Sequence, residues 1–214
     1  MNQLKVVARS SKLSLIQVNE VFAKLPNISY TLIPLKSFGD KRLDISLLSG
    51  KAPDDMFTRE LDEALINGDA DVAIHSAKDL PINLNPNIEV IALYEATDKT
   101  DSLVSRNNLT LSQLPPQSKI GTSSPLRQKE LLTLRPDVQV VGIRGTIEER
   151  IAQVRSGQYD AAIVATCALK RLGLQNEIAQ ILPFSTHPMQ GRLAVTALKD
   201  RADLKAIFAP QSII

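Results

Sequence analysis

Short runs of apolar, largely β-branched residues in this chain repeatedly end in a polar turn, after which apolar residues resume at helical spacing. Leu4 to Ala8 gives way to Arg9-Ser10-Ser11, and Leu15, Val18, Phe22 and Leu25 then recur as one helix face up to Pro26. Such alternation of strand and helix predicts an α/β protein, because each sheet face must be covered by the helices between its strands. The most informative run is Asp71 to Pro81. Val72 to Ile74 suits a strand buried on both faces, and His75, Ser76, Lys78 and Asp79 then crowd into a turn that Pro81 ends. In open α/β sheets ligands bind beyond the carboxyl ends of strands, so Lys78 and Asp79 are candidates to hold an anion and manage a developing cation.

The pattern continues along the chain. Ile28 to Leu35 reads as a strand, 36 to 56 as a long mobile loop, and Phe57 to Ile66 as an amphipathic helix stopped at Gly68. Ile88 to Leu93 is another strand. The polar stretch from Thr97 to Asp101 suggests a crossover into a second βα series. There Lys119 to Gly121 leads into Thr122-Ser123-Ser124-Pro125, where Ser124 as N-cap and Pro125 at the first helical position predict a helix start. Val138 to Ile143 ends in Arg144-Gly145, and Thr146 with Glu149 fits a capping box. Tyr159 to Val164 precedes a helix through Lys170 and Arg171, and Gln190 to Leu198 reads as a strand returning to the first domain. The expected domains are therefore 1–96 with 188–214, and 97–187.

Composition narrows the function. The net charge of +2, no run of five basic residues and no Trp argue against a nucleic-acid partner. No apolar stretch is long enough to span a membrane. A single Cys167 cannot form an internal disulfide, which points to the cytoplasm. Two His and one Cys make a metal site unexpected. Gly-x-Gly-x-x-Gly, P-loop and nucleophile-elbow patterns are absent.

Five turns carry similar equipment: Arg9-Ser10-Ser11, Lys78-Asp79, Thr122-Ser123-Ser124 with Arg127, Arg144-Gly145-Thr146 with Arg150, and Lys170-Arg171. Helix N-termini offer free N–H groups and partial positive charge, and Arg adds bidentate donors. One such turn is ordinary capping. Five together point to a ligand with several carboxylates or phosphates.

At these residues the sequence resembles the porphobilinogen deaminase (hydroxymethylbilane synthase) family. The matching segments, in order, are Val7-Ala8-Arg9-Ser10-Ser11, Gly39-Asp40, Phe57-Thr58-Arg59-Glu60-Leu61, His75 to Pro81, Gly121 to Ser124, Ile143 to Thr146, Ala168 to Gly173 and Gln190-Gly191. The resemblance implies two periplasmic-binding-protein-like (type II) lobes with mixed sheets flanked by helices and a cleft between them. It implies head-to-tail condensation of four porphobilinogen molecules with release of ammonia, in tetrapyrrole (heme) biosynthesis, on a dipyrromethane cofactor. Asp79 would be the catalytic carboxylate. Arg9, Ser11, Lys78, Thr122, Ser123, Ser124, Arg127, Arg144, Gly145, Arg150, Arg171 and Gln190 would bind substrate or cofactor, and Phe57 would pack against a pyrrole. A cytoplasmic monomer is expected.

The sequence also departs from the family pattern. The family's third, C-terminal domain, which carries the cysteine bonded to the cofactor, is expected to be absent from these residues; Cys167 is a candidate substitute tether, beside noncovalent retention or a cysteine from another chain. Leu126 stands where the family has the first Arg of a pair, and Lys51 to Met56 replaces a glycine-rich flap. A non-catalytic two-lobed binder of a polycarboxylate or tetrapyrrole precursor is the alternative.

Overall fold

A computed structural model describes residues 3–50 and 52–214; Lys51, within the flap segment, and Met1, at the start of the chain, lie outside them. The elements in chain order are β1 (Leu4–Arg9), α1 (Lys12–Phe22), β2 (Tyr30–Leu35), α2 (Phe38–Lys41), α3 (Arg59–Ile66), β3 (Val72–Ser76) and β4 (Ile88–Tyr94). They continue with β5 (Asp101–Ser105), β6 (Lys119–Thr122), α4 (Pro125–Leu134), β7 (Gln139–Gly142), α5 (Ile147–Arg155), β8 (Ala161–Ala165), α6 (Thr166–Leu172), β9 (Gln180–Leu182), β10 (Leu193–Leu198) and α7 (Ala202–Phe208). The chain divides into two compact units. One is Met1–Arg42, Pro53–Thr97 and Gly191–Ile214; the other is Leu43–Ala52 and Asp98–Gln190.

Among the described residues each unit holds a five-stranded mixed sheet, and the two sheets follow one plan. In the first unit the order is β2-β1-β3-β10-β4, with β1 parallel to β2 and β3 and β10 antiparallel to both neighbours. In the second it is β7-β6-β8-β5-β9, with β6 parallel to β7 and β8 and β5 antiparallel to both neighbours. The reversed strand in each sheet, β10 or β5, is the first strand after the chain crosses from the other unit.

Both faces of each sheet are covered, which is why the strands read as continuous apolar runs. Along β1, Val6 and Ala8 face α1 and α7, with Val18, Val21, Phe22, Leu204 and Phe208, while Val7 faces Leu61 and Leu65 of α3. In the second unit Leu103, Ile120 and Ile163 pack with Leu131 of α4. Val104, Val164 and Ala162 pack with Ile151 and Val154 of α5 and Leu169 of α6.

Three features differ from the sequence reading. The 36–56 stretch is not one loop: Ser37 caps α2 through a capping box with Asp40, Met56 is buried, and residues 43–52 belong to the second unit. Polar residues near 36–42 conceal this order, because Ser37 and Asp40 bond to each other and Asp40 and Lys41 pair with residues remote in sequence, Arg9 and Glu60. The returning strand starts at Leu193, leaving Gln190 in a turn before it. β5, β9 and α7 lacked a clear periodic signal, each being seven residues or fewer.

The second unit is fastened by a buried polar network. Arg127, in the first turn of α4, donates from Nε to Asp101 Oδ2 (2.9 Å) and from Nη2 to Asp101 Oδ1 (2.6 Å). It also donates to the Ile163 carbonyl (3.3 Å) and to Gln190 Oε1 (3.2 Å). Gln190 Nε2 donates to the carbonyls of Lys99 (2.9 Å) and Thr100 (3.1 Å) and to Asp101 Oδ1 (2.8 Å). The sequence reading places Arg127 and Gln190 on ligand carboxylates. In the structure both are buried and spent on protein partners, because Asp101, itself 1% exposed, needs a counter-charge. Arg127→Met should therefore lower unfolding free energy by about 3–5 kcal/mol, since it strands a buried carboxylate, and Arg127→Met with Asp101→Leu should recover most of that loss. Urea unfolding measures both; a single variant within about 1 kcal/mol of wild type would contradict the assignment.

Candidate active site

In the first unit the carboxyl ends of β1 and β3 bring together the residues singled out from the sequence. Asp79 closes a 3-10 turn, Ala77–Asp79, that follows β3 directly. Arg9, the last residue of β1, reaches it: Nη1 lies 3.5 Å from Asp79 Oδ2. The same guanidinium grips Asp40 with both carboxylate oxygens, Nε to Oδ2 at 3.1 Å and Nη2 to Oδ1 at 2.5 Å. Its carbon stands 4.5 Å from the centroid of the Phe57 ring, a cation–π contact. Arg9 and Asp79 side chains remain about a quarter exposed, at 25% and 27%.

Local sequence explains the arrangement. Asp40 Oδ2 accepts from the Ser37 N–H (3.0 Å) and hydroxyl (2.8 Å), so the capping box of α2 also orients the carboxylate toward Arg9. Gly39 is needed because a Cβ there would lie 2.6 Å from Met56 Cγ and collide with the Phe57 ring. Burial by itself would lower the Arg9 pKa, but the hydrogen bond to Asp40 and the charges of Asp79 and Asp40 outweigh it, so Arg9 titrates above its usual value. Burial would raise the Asp40 carboxyl, but Arg9 and Ser37 hold it below the usual carboxylate range. Beneath the site His75 is buried, with Nε2 3.0 Å from Thr196 Oγ1. Burial, with the Arg9 charge adding to it, pushes its pKa down to about 4. His75 is therefore a neutral structural group at pH 7.

The other expected residues sit as follows. Ser11 caps α1 and accepts from Ser14 N–H (3.3 Å), and Lys78 is half-buried in the Asp79 turn. In the second unit Ser124 caps α4, Thr122 Oγ1 accepts from Ser124 N–H (3.2 Å), and the Ser123 hydroxyl donates to the Ile143 carbonyl. Gly145 adopts φ +102°, where a Cβ would also meet the Glu149 carboxylate at 2.6 Å. That carboxylate accepts from Thr146 N–H at 2.7 Å. Arg150 Nε donates to the Gly145 carbonyl (2.9 Å), and Gln153 Nε2 to the Arg144 carbonyl (3.1 Å), so α5 fixes the turn that carries Arg144. Arg171 is half-buried in the last turn of α6, where Lys170 pairs with Asp98 (2.7 Å). Cys167 is buried in the first turn of that helix. Arg9, Phe57 and Asp79 thus form one cluster, and Arg144, Gly145 and Arg150 another in the other unit. Sequence reasoning gave Asp40, Asp101, Gln17 and Ser76 no role. Only Asp40 and Ser76 lay in matching segments, and a pairing partner remote in sequence leaves no local signal.

The family model described as "Porphobilinogen deaminase, dipyromethane cofactor binding domain" matches residues 4–206. The chain belongs to the porphobilinogen deaminase family. A porphobilinogen deaminase from Caldicellulosiruptor saccharolyticus is 40% identical over 206 residues, covering 94% of this chain and 71% of that protein. One from Nitratidesulfovibrio vulgaris is 38% identical over 218 residues, covering 98% and 68%. Among solved structures, a putative methionine-binding lipoprotein from Bacillus subtilis superposes with a TM-score of 0.58 at 11% identity, covering 97% of this chain and 89% of that one. An ABC-transporter periplasmic substrate-binding protein from Coxiella burnetii gives 0.58 at 15%, covering 97% and 91%. At such identities the likeness concerns fold alone, and the fold is periplasmic-binding-protein-like, with the two mixed sheets the family resemblance implied. Porphobilinogen deaminases are transferases, and the matched region is the one that binds the family's dipyrromethane. No described helix is long and apolar enough to cross a membrane.

His75 makes the acid limb of stability predictable. Its proton binds at about 4 in the fold and at 6.5 in the unfolded chain, so as pH falls the unfolded state takes up the proton first. The stability it supports above pH 6.5 should be lost between 6.5 and 4, a change of about 3 kcal/mol. Asp62 acts in the opposite sense, because burial, then the Asp55 and Glu63 charges, raise it to about 6. Both proteins share that contribution, so the pH dependence of unfolding in wild type minus His75→Gln isolates the imidazole; a flat difference across the window would contradict it.

Proposed function

We propose that this chain is a hydroxymethylbilane synthase that joins four porphobilinogen molecules head to tail, releasing one ammonia per addition, in tetrapyrrole biosynthesis. The observation that carries the proposal is the Asp79 carboxylate, partly exposed at a strand end and held by Arg9, whose own charge is shared with Asp40 and the Phe57 ring. Each pyrrole of substrate and growing chain carries an acetate, a propionate and a ring N–H. Such a ligand asks for a carboxylate and several cations, and the chain carries both: Asp79 with Lys78 in the first unit, and Arg144, Arg150 and Arg171 in the turns and helix ends of the second. The same donor set fits dipyrromethane, whose rings carry the same groups. When bound, that cofactor supplies the pyrrole chain to which substrate is added.

In the reaction the C–N bond of the substrate aminomethyl group, which is an ammonium at neutral pH, breaks, and the electron pair leaves with nitrogen as ammonia. The positive charge left behind spreads over the pyrrole. Asp79 accepts a hydrogen bond from the ring N–H and stabilises that charge, an interaction stronger in the transition state than before it. The α-carbon of the acceptor pyrrole then forms the new C–C bond and loses its proton, which Asp79 helps to remove. Lys78, Arg144, Arg150 and Arg171, with the hydroxyls of Ser11 and Ser124 and the N–H groups of the helix starts, orient the ring carboxylates, while the Ser123 hydroxyl, which donates to the Ile143 carbonyl, holds its turn in shape. Thr122 and Gly145 shape those turns, and Phe57 offers an apolar face. Arg9 positions Asp79 rather than holding substrate, and Arg127 and Gln190 support the second unit from within. Cys167 would tether the cofactor only if the buried thiol became uncovered. The reading includes a monomeric, cytoplasmic enzyme.

Steady-state ammonia release from porphobilinogen tests the proposal. Asp79→Asn should lower kcat by about 100–1000-fold, the usual consequence of removing one preorganised charge-stabilising group. Equal activity in wild type and variant would refute the role of Asp79. Saturable binding of porphobilinogen with no ammonia release by wild type would mark a binding protein instead.

A further inference from the structure

The turn that presents Asp79 has little structure of its own. In the second unit the register equivalent of β3 is β8, and α6 follows it at once, seven residues long and closed at Gly173 in the left-handed region. After β3 the chain makes only the three-residue turn Ala77–Asp79, closed by the Leu80 N–H on the Ala77 carbonyl at 3.3 Å, and then meets Pro81. One internal hydrogen bond cannot fix a catalytic carboxylate to the precision chemistry requires. Side chains outside the turn must do so.

Arg9 does so at the carboxylate itself, and Ser76 is where a second acts at the base of the turn. It occupies the N-cap position of the turn, yet its hydroxyl makes no capping bond. Instead Ser76 Oγ accepts from Gln17 Nε2 at 2.9 Å. Gln17 lies on α1 and is 4% exposed, among the buried residues Ser14, Val18, Val21 and Phe22 of that helix. A side-chain amide in that place has a desolvation cost that an apolar residue of the same length would avoid, and fold stability alone does not call for it. At the register position equivalent to Ser76 the second unit has Ala165, followed by a helix that needs no such anchor. The Ala77 N–H on the Arg192 carbonyl (3.0 Å) and His75 on Thr196 (3.0 Å) hold the strand side of the same hinge point.

We propose that Gln17 is a positioning residue for Asp79, acting through Ser76. The inference rests on the deaminase reading, and ammonia release by wild type separates the two: a wild type that releases none overturns the reading itself. With an active wild type, Gln17→Met should lower kcat by about 10–100-fold, the scale of a displacement of about 1 Å, while KM changes less than about threefold. Ser76→Ala should do the same, and the double variant should be no worse than either single, because both break one link. Gln17→Glu, which can only accept, should regain most of the activity, since the Ser76 hydroxyl can turn to donate to it. That recovery is a readout that loss of packing would not produce, and it decides the matter with Ser76→Ala even if Gln17→Met fails to fold. A kcat within twofold of wild type in Ser76→Ala, effects of the two single variants that multiply, or an effect on KM alone would overturn the proposal.

Discussion

One guanidinium organises the functional end of the first unit. Arg9 ends β1, grips Asp40 with both carboxylate oxygens, reaches Asp79 and lies on Phe57. Remove it and three things lose their common partner: the capped helix α2, the turn after β3 and the aromatic ring before α3. The geometry also decides the sign of the site. A free Arg9 would be one more cation for ligand carboxylates. Between two carboxylates it is neutralised, and the bidentate fork matters more than the charge.

The second unit repeats the sheet plan with the opposite emphasis. Its turns keep cations and capped helix starts, and Arg150 and Gln153 of α5 brace the backbone of the turn that carries Arg144. Asp101, a buried carboxylate of this unit, is cancelled by Arg127. On the proposed reading, the first unit carries the carboxylate for chemistry, and the turns of the second carry cations of the kind that ring carboxylates need. The same order of strands serves both because what differs lies in the turns, where side chains change without disturbing the buried strands.

The α/β class, most strands and several caps were legible because each is a local pattern. Val6 and Ala8 alternating with Val7, Ser124 before Pro125, and Thr146 with Glu149 need no information from elsewhere in the chain. Short elements such as β9, three residues long, give too few residues to show a period. The arginines are the least legible residues in the sequence. Arg9, Arg127 and Arg144 look alike in a polar turn, and what distinguishes them is a partner remote in sequence. Arg127 meets Asp101 at 26 residues' separation and Arg9 meets Asp40 at 31. Buried pairing of that kind leaves no trace in the spacing, so Gln190 and Arg127 read as ligand-binding until their burial is seen.

The central claim is that Arg9 serves the reaction by holding Asp79 rather than by binding substrate. Steady-state ammonia release from porphobilinogen by Arg9→Lys tests it most directly, because Lys keeps the charge and loses the fork. The account predicts that kcat falls at least about tenfold while KM stays within about threefold of wild type. A KM raised about tenfold with kcat unchanged would contradict it and return Arg9 to the set of substrate-binding cations.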